Sequence, residues 1–159
     1  MKPRIYVETS VISYLTARPN RDLIVAAHQQ ITAELWERRF DFEFYASELV
    51  VAEASRGDPQ AAALRLKSLT GIPMLQVPPQ ARDLGKLLVK ELAIPAKAIE
   101  DAYHVALAAV QGMDYLITWN CTHIANLQMQ RKIEKICIDA GYVPAVIGTP
   151  EELLAATGE

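Results

Sequence analysis

The sequence contains little cysteine and no long apolar run. Its two cysteines, Cys121 and Cys137, form no CxxC pair and no Cys-His zinc spacing, which argues against a disulfide framework and a structural zinc site. No segment approaches the roughly 20 apolar residues of a membrane span, and the start of the chain lacks the apolar core of a signal peptide. We therefore expect a cytoplasmic protein with no membrane partner.

The sequence also has little net charge. The 159 residues carry 16 basic and 19 acidic side chains, a formal net charge of −3, so no strong field attracts polyanions to the chain as a whole. Any contact with a nucleic acid must come from a few local cations. The length suits one domain, and 51% hydrophobic residues can fill one core. We expect a single domain over residues 1–159.

Three catalytic signatures are missing as well. The chain has no glycine-rich phosphate loop, no G-x-S-x-G elbow and no H-E-x-x-H pair. These absences argue against a P-loop nucleotidase, a hydrolase of the nucleophile-elbow type and a zincin. The chemistry of the protein must come from another set of polar residues.

Strand-like and helix-like segments alternate along the chain. We predict strands at residues 5–7, 42–47, 74–77, 114–120 and 145–147, and helices at residues 22–39, 47–57, 59–69, 80–92, 96–111, 127–140 and 149–156. Ser47 and Thr149 are expected as N-caps, and Gly57 and Gly112 as helix terminators. This alternation favours right-handed crossovers. We expect an α/β fold, a three-layer α/β/α sandwich with a central, mainly parallel sheet of about four to five strands.

Four polar residues lie within or directly after apolar segments. Glu8 follows the apolar residues 5–7, Glu53 lies inside a predicted helix, Asp101 interrupts an alanine-rich helix and Asn120 ends a predicted strand. A buried carboxylate loses its hydration unless it is paired or bound to a cation. Carboxylate and amide oxygens are ligands that Mg²⁺ and Mn²⁺ prefer. The pattern predicts a metal site built from these residues.

Each of the four residues also has a purely structural explanation. Glu8 can cap a turn over residues 10–15, Glu53 can lie on an exposed helix face, and Asp101 can stabilise a helix N-terminus. Asn120 can form an Asx turn. The order of all four along one chain is harder to explain in these terms.

Two histidines lie close to these residues in sequence. His104 follows Asp101 by three positions and can share its helix face. We favour a buried histidine that supports the site over a direct metal ligand. His123 follows Asn120, and we expect it beside the site, where a protonated ring can contact phosphate.

Four segments contain these polar residues in order: "YVETSVISYL", "ASELVVAE", "AIEDAYHVALAAVQGMDYLIT" and "TWNCTHIANL". Their order resembles the PIN domain, the ribonuclease fold of VapC-type toxins from bacterial toxin–antitoxin pairs. The third and fourth are the most specific, because they combine an acid on an alanine-rich helix, a glycine and an apolar strand ending in "TWN". The resemblance covers nearly the whole chain.

The resemblance assigns the four polar residues to the acidic positions of the family, with two departures. The first acid is Glu8 where the family has Asp, while Glu53 and Asp101 match the second and third acids. The fourth position is Asn120 instead of an acid. This change removes one negative charge, so a second metal ion would bind more weakly.

The resemblance implies a metal-dependent ribonuclease that uses Mg²⁺ or Mn²⁺ and cleaves RNA phosphodiester bonds. The implied metal ligands are Glu8, Asp101 and Glu53, and Asn120 completes the catalytic set. Hydroxyls that can hold carboxylates or phosphate belong to Thr9, Ser10 and Thr118. Cations expected on the RNA backbone are Arg18, Arg56, Lys97 and His123.

The resemblance also implies protein partners. A toxin of this type is held inactive by an antitoxin protein, and the family commonly forms homodimers. Apolar residues in the predicted helices 22–39 or 59–69 can supply such an interface. The alternative is a degenerate, catalytically weak PIN domain that binds RNA or a protein without cleavage, because Glu8 and Asn120 replace the usual aspartates.

Overall fold

Five short strands form the central sheet of the structure, a computed structural model that describes residues 1–157. The strands are β1 (Arg4–Val7), β2 (Glu43–Ser47), β3 (Met74–Leu75), β4 (Tyr115–Ile117) and β5 (Val146–Gly148). All neighbouring strands pair in parallel, in the order β3-β2-β1-β4-β5. The expected parallel sheet of four to five strands is confirmed.

Among the described residues, eight α-helices flank this sheet. They are α1 (Thr9–Thr16), α2 (Leu23–Glu37), α3 (Glu48–Ala54), α4 (Pro59–Ser68), α5 (Pro79–Lys90), α6 (Ile99–Val110), α7 (Leu127–Asp139) and α8 (Pro150–Thr157). Short 3₁₀ helices at Arg39–Asp41 and Ala96–Ala98 precede β2 and α6. Helix α1 contacts α2, α3 and α4, whereas α5 contacts α6 and α7. These two groups form the outer layers of the expected sandwich. None of these helices is long and apolar enough to cross a membrane.

The strand order reverses at β1, and this reversal locates the place where a ligand can bind. From β1 the chain continues to β2 and β3 on one side, and it later returns to β4 and β5 on the other. In open parallel sheets, ligands bind at the carboxyl ends of the strands where the order reverses. Val7 of β1 pairs with Ile117 of β4. Glu8 and Thr118 therefore follow adjacent strand ends.

Helix termini follow the capping pattern of the sequence. The Ser47 hydroxyl accepts hydrogen bonds from the N–H groups of Leu49 and Val50 at the start of α3, as the N-cap prediction requires. Gly112 follows α6 with a φ of 67°, a backbone conformation that glycine adopts without strain. These caps fix the starting point of α3 and the end of α6, the two helices that carry Glu53 and Asp101.

Helix α1 is the element that the sequence pattern missed. The sequence predicts only a turn after Glu8, but residues Thr9–Thr16 form two helical turns. Three of the first four residues are β-branched, which lowers intrinsic helix propensity. Val11 and Ile12 are completely buried. Packing of this face stabilises a helix that local propensity does not favour.

Two strands are shorter than predicted. β3 covers Met74–Leu75 instead of residues 74–77, because the N–H of Val77 bonds to the Glu48 side chain rather than to β2. β4 covers Tyr115–Ile117 instead of residues 114–120. After Thr118 the chain leaves the sheet and turns at Asn120. β3 therefore ends early where the Glu48 side chain binds the backbone, and β4 ends early where the chain turns at Asn120.

Helix α5 positions α6 through a close contact between the two helices. The buried residues of α5 repeat every three or four positions: Ala81, Leu84, Gly85 and Leu88. A Cβ atom at Gly85 would lie 2.5 Å from Cδ1 of the Tyr103 ring and 3.4 Å from the Tyr103 Cα. The absence of a side chain at Gly85 therefore allows α5 to pack closely against α6, the helix that carries Asp101 and His104.

We predict that Gly85→Ala lowers the free energy of unfolding by about 1 kcal/mol. Overlap with Tyr103 costs about 1–3 kcal/mol. The higher helix propensity of alanine offsets up to about 1 kcal/mol of this cost. Urea denaturation measures the change. Lys86→Ala, at an exposed position of the same helix, is the control and should change the value by less than about 0.5 kcal/mol. A Gly85→Ala protein more stable than the wild type would contradict the close packing.

Candidate functional site

Glu8 lies at the carboxyl end of β1, and its side chain is almost fully buried, with 4% of the residue exposed. Its Oε1 atom accepts hydrogen bonds of 2.6 Å from the hydroxyls of Ser10 and Thr118. Its Oε2 atom accepts a 2.9 Å bond from the N–H of Ser10 and so caps α1. The structural alternative for Glu8, an N-cap, therefore coexists with its position at the strand end.

The two hydroxyls that bind Glu8 are themselves fixed by the backbone after β4. Ser10 Oγ accepts a 2.8 Å bond from the N–H of Trp119, and Thr118 Oγ1 accepts a 2.9 Å bond from the N–H of Asn120. Each hydroxyl therefore donates its own hydrogen to the carboxylate. The predicted role of Ser10 and Thr118 in holding a carboxylate matches these contacts.

Glu53 lies in α3 and faces the same end of the sheet as Glu8. Its side chain is 21% exposed. Its Oε1 atom accepts a 2.9 Å bond from the Thr9 hydroxyl and a hydrogen bond from Nε2 of His104. Thr9, like Ser10 and Thr118, therefore contacts a carboxylate. Neighbouring residues of one segment thus hold both Glu8 and Glu53.

His104 is completely buried between Glu53 and the centre of the sheet. Its Nδ1 atom lies 2.7 Å from the hydroxyl of Tyr6 in β1, and this hydroxyl lies 2.8 Å from Oγ of Ser47. Both ring nitrogens thus have protein partners. The expectation of a buried, supporting histidine matches this geometry.

Asp101 lies in the first turn of α6, and its side chain is 19% exposed. It accepts a hydrogen bond from the Asn120 side chain, and its Oδ2 atom lies 3.3 Å from Nδ1 of His123. Asn120 also forms the Asx turn considered as an alternative, because its Oδ1 accepts from the N–H groups of Thr122 and His123. Asn120 and His123 therefore fix Asp101 through direct contacts.

The pKa shifts differ among Asp101, Glu53 and His104. Burial holds the pKa of the Asp101 carboxyl above its ordinary value, and the charge of Glu8 adds to this, whereas the Asn120 bond opposes it. Burial also raises the pKa of Glu53, but the hydrogen bond and charge of His104 and the Thr9 bond outweigh it, so this pKa is lowered. Burial lowers the pKa of His104, but the Glu53 bond and the nearby carboxylates raise it above its ordinary value.

The donor set of the site fits a divalent cation. One ligand atom from each of Glu8, Glu53 and His104 lies within 4.8 Å of the others, and the charge of Asp101 acts on the same His104 ring. Several carboxylates at one place repel each other unless a cation neutralises them. Carboxylate oxygens are the ligands that Mg²⁺ and Mn²⁺ prefer. The structure thus brings Glu8, Glu53 and His104 together. Asp101 lies outside this group, near enough for the charge of Glu8 to raise its pKa.

Three of the cations expected on the RNA backbone lie in different environments. Arg56 lines a pocket of ≈ 130 Å³ together with Glu53 and His104, and its guanidinium binds the Glu100 carboxylate through two bonds of 2.9 and 2.7 Å. Arg18 and Lys97 are exposed. Within residues 1–157, no ion pair joins either of these two side chains to the acids.

Sequence reasoning missed two residues of this site, Tyr6 and Ser47. The sequence signals Ser47 only as a helix cap, and Tyr6 as one member of an apolar strand. A hydroxyl inside a buried strand requires a partner, so Tyr6 carried a signal that a polar group lies against β1. The partner itself, His104, lies 98 positions away in the chain and cannot be identified from local pattern.

Comparison with known proteins gives matches in structure only. No protein-family model matches the sequence, and no significant match is found among curated proteins. Among solved structures, the VapC20 toxin of Mycobacterium tuberculosis, described as cleaving the Sarcin-Ricin loop, matches with a TM-score of 0.57 and 18% identity. The match covers 87% of this chain and 96% of that chain. This chain has the fold of a VapC toxin.

A second solved structure supports the same fold. VapBC2 of Rickettsia felis, bound to a DNA fragment from its promoter, matches with a TM-score of 0.54 and 13% identity. The match covers 92% of this chain and 98% of that chain. The PIN resemblance of the four sequence segments is therefore confirmed for the fold. In this fold Glu8 lies at the carboxyl end of β1, Glu53 of α3 lies close to it, and Asp101 lies in the first turn of α6.

We predict that Thr118→Val lowers the free energy of unfolding by about 1–3 kcal/mol. Valine keeps the size of the side chain but leaves the buried Glu8 carboxylate with one donor fewer and the Asn120 N–H without its acceptor. Urea denaturation at neutral pH measures the loss. Thr118→Ser keeps the hydroxyl and should lose less stability. Equal stability of the valine variant and the wild type would contradict the proposed support of Glu8.

Proposed function

We propose that the protein is a metal-dependent endoribonuclease that acts as the toxin of a toxin–antitoxin pair. The observation that carries this proposal is the convergence of Glu8 and Glu53, with Asp101 beside them, at the point where the strand order reverses. The fold is that of VapC toxins, and one neighbour with this fold is described as cleaving the Sarcin-Ricin loop. Together they support hydrolysis of an RNA phosphodiester bond.

The residues that would hold Mg²⁺ or Mn²⁺ are Glu8, Glu53 and Asp101. When bound there, such a cation polarises the scissile phosphate and lowers the pKa of the attacking water. The burial of Asp101 and the charge of Glu8 disfavour the ionised form of Asp101. Binding of a positive charge relieves this repulsion, which supports a cation as the partner of the acids.

Other side chains of the site act by holding the carboxylates. Ser10 and Thr118 keep Glu8 in one orientation, and Thr9 does the same for Glu53. We propose that Asn120 acts through its bond to Asp101, because its own carbonyl oxygen is already used by two backbone N–H groups. Such preorganisation lowers the reorganisation that the reaction requires.

RNA contacts are proposed for Arg56, Arg18, Lys97 and His123. Arg56 has the strongest support, since it lines the same small pocket as Glu53. Its two bonds to Glu100 have the geometry that a guanidinium also uses with phosphate. We propose that an RNA phosphate replaces Glu100 on Arg56. An acidic site requires such cations nearby, because its own charge repels the substrate.

The proposed partners are an antitoxin protein and a second copy of this chain. A neighbour of the same fold is VapBC2, solved with promoter DNA, which supports the toxin–antitoxin assignment. The helices expected at a homodimer interface expose apolar side chains, with Leu23 86% and Ile24 69% exposed on α2 and Leu64 54% exposed on α4. An RNA target supports action in the cytoplasm.

A catalytically weak binding module is the second candidate. The observation that favours it is Asn120, whose carbonyl oxygen caps a turn and whose side chain carries no negative charge. The convergence of Glu8 and Glu53, with Asp101 beside them, favours cleavage over this alternative.

We predict that the purified protein cleaves structured RNA in the presence of Mg²⁺ or Mn²⁺. EDTA should abolish the activity because the acids then have no cation to hold. Asp101→Asn should reduce cleavage to the level of the EDTA sample, since the amide cannot balance the charge of a cation. Gel electrophoresis of the RNA products measures both effects.

The control for this substitution is Asp83→Asn, which changes an exposed aspartate on α5 and should cleave at the wild-type rate. Cleavage that persists in Asp101→Asn would contradict the assignment of the site. Binding of Mn²⁺ and RNA without any cleavage by the wild type would replace the nuclease by the binding module.

A further inference from the structure

We propose that His104 is a positioning residue that holds Glu53 at the end of a buried hydrogen-bond chain running from Ser47 through Tyr6. This inference rests on the proposed function in one respect, because Glu53 is taken as a ligand of the cation. It assigns a role to three residues that lie outside the acidic set.

The hydrogen-bond chain is continuous, and every member except Glu53 is fully buried. Ser47, Tyr6 and His104 are each 0% exposed. Their polar atoms lie 2.8 Å apart between Ser47 Oγ and Tyr6 Oη, and 2.7 Å apart between Tyr6 Oη and His104 Nδ1. His104 Nε2 then bonds to Oε1 of Glu53. Because water does not reach the first three groups, each of them depends on its neighbours for hydrogen bonding.

The hydrogen-bond chain begins and ends at helix α3. Ser47 caps the start of α3, and Glu53 lies in the last turn of that helix. Between them the chain passes through Tyr6 of β1 and His104 of α6. The connection therefore ties both ends of α3 to the sheet and to α6. A helix held in this way has little freedom to rotate, so the Glu53 carboxylate keeps its direction toward Glu8.

The direction of the last bond is fixed by chemistry. An ionised carboxylate only accepts hydrogen bonds, so Nε2 of His104 must carry the hydrogen that Glu53 receives. The Tyr6 hydroxyl either donates to Nδ1 or accepts from it. The chain thus remains intact with a neutral or a charged ring. While the bond to Glu53 exists, Nε2 has no lone pair for a cation, which favours positioning over direct ligation.

Two amide substitutions of His104 distinguish its bond to Glu53 from its bond to Tyr6. In His104→Gln, the amide nitrogen of the introduced side chain reaches the position of Nε2 and can donate to Glu53. The shorter side chain in His104→Asn reaches only the position of Nδ1 and meets Tyr6 instead. Both variants are neutral and polar, so they differ mainly in which bond they restore.

The experiment measures Mn²⁺ affinity by calorimetry, together with the rate of RNA cleavage at saturating Mn²⁺. We expect His104→Asn to weaken Mn²⁺ binding by roughly 10–100-fold, the range for loss of a residue that orients a metal ligand. His104→Gln should recover most of this loss. Thermal unfolding of the metal-free proteins checks that both variants fold.

Equal losses in the two folded variants would overturn the proposal, because the shape of the ring rather than its donor would then matter. Wild-type Mn²⁺ affinity in His104→Asn would overturn it as well. If both variants fail to fold, Tyr6→Phe removes only the hydroxyl and should weaken Mn²⁺ binding, by less than the roughly 10–100-fold range for loss of a residue that orients a metal ligand. Unchanged affinity in Tyr6→Phe would contradict the chain.

The two readouts separate this inference from the proposed function. A wild-type protein that binds Mn²⁺ but cleaves no RNA contradicts the nuclease assignment. In that case, the comparison of Mn²⁺ affinities still supports or overturns the role of His104.

Discussion

The carboxylate of Glu8 is almost fully buried where β1 ends, and the surrounding structure has to supply it with donors. Ser10 at the start of α1 and Thr118 at the end of β4 provide them. A buried carboxylate without such bonds would strongly disfavour the folded state. One acid therefore links β1, α1 and β4 where they meet. This same acid is the one that a cation site requires, so stability and proposed activity depend on the same contacts.

The remaining parts of the site are attached to this junction from two sides. Helix α3 brings Glu53, which Thr9 and His104 hold, and helix α6 brings Asp101, which Asn120 and His123 hold. Helix α5 packs closely against α6 at Gly85. Each acid thus has support from an element other than its own. Rigid support of this kind is what a site needs to keep several negative charges close together.

Sequence pattern predicted the layers of the fold and the helix caps, and it singled out Glu8 and Glu53, which the structure brings together, because desolvated carboxylates and capping residues are local signals. Ser47 as a cap and Glu8 at a strand end are examples. The pattern failed where distant residues decide the outcome. Helix α1 forms because Val11 and Ile12 are buried, although its β-branched residues have low helix propensity. The bond between Tyr6 and His104 joins residues 98 positions apart, and no local rule identifies it.

The central claim is that three carboxylates at the ends of β1, α3 and α6 hold one divalent cation. A crystal of the protein soaked in Mn²⁺, measured by anomalous scattering, tests it most directly. The account predicts a single strong peak within about 2–2.5 Å of oxygens of Glu8, Glu53 and Asp101, with His104 still bonded to Glu53. A peak bound to Nε2 of His104, or no peak at these acids, would contradict the account.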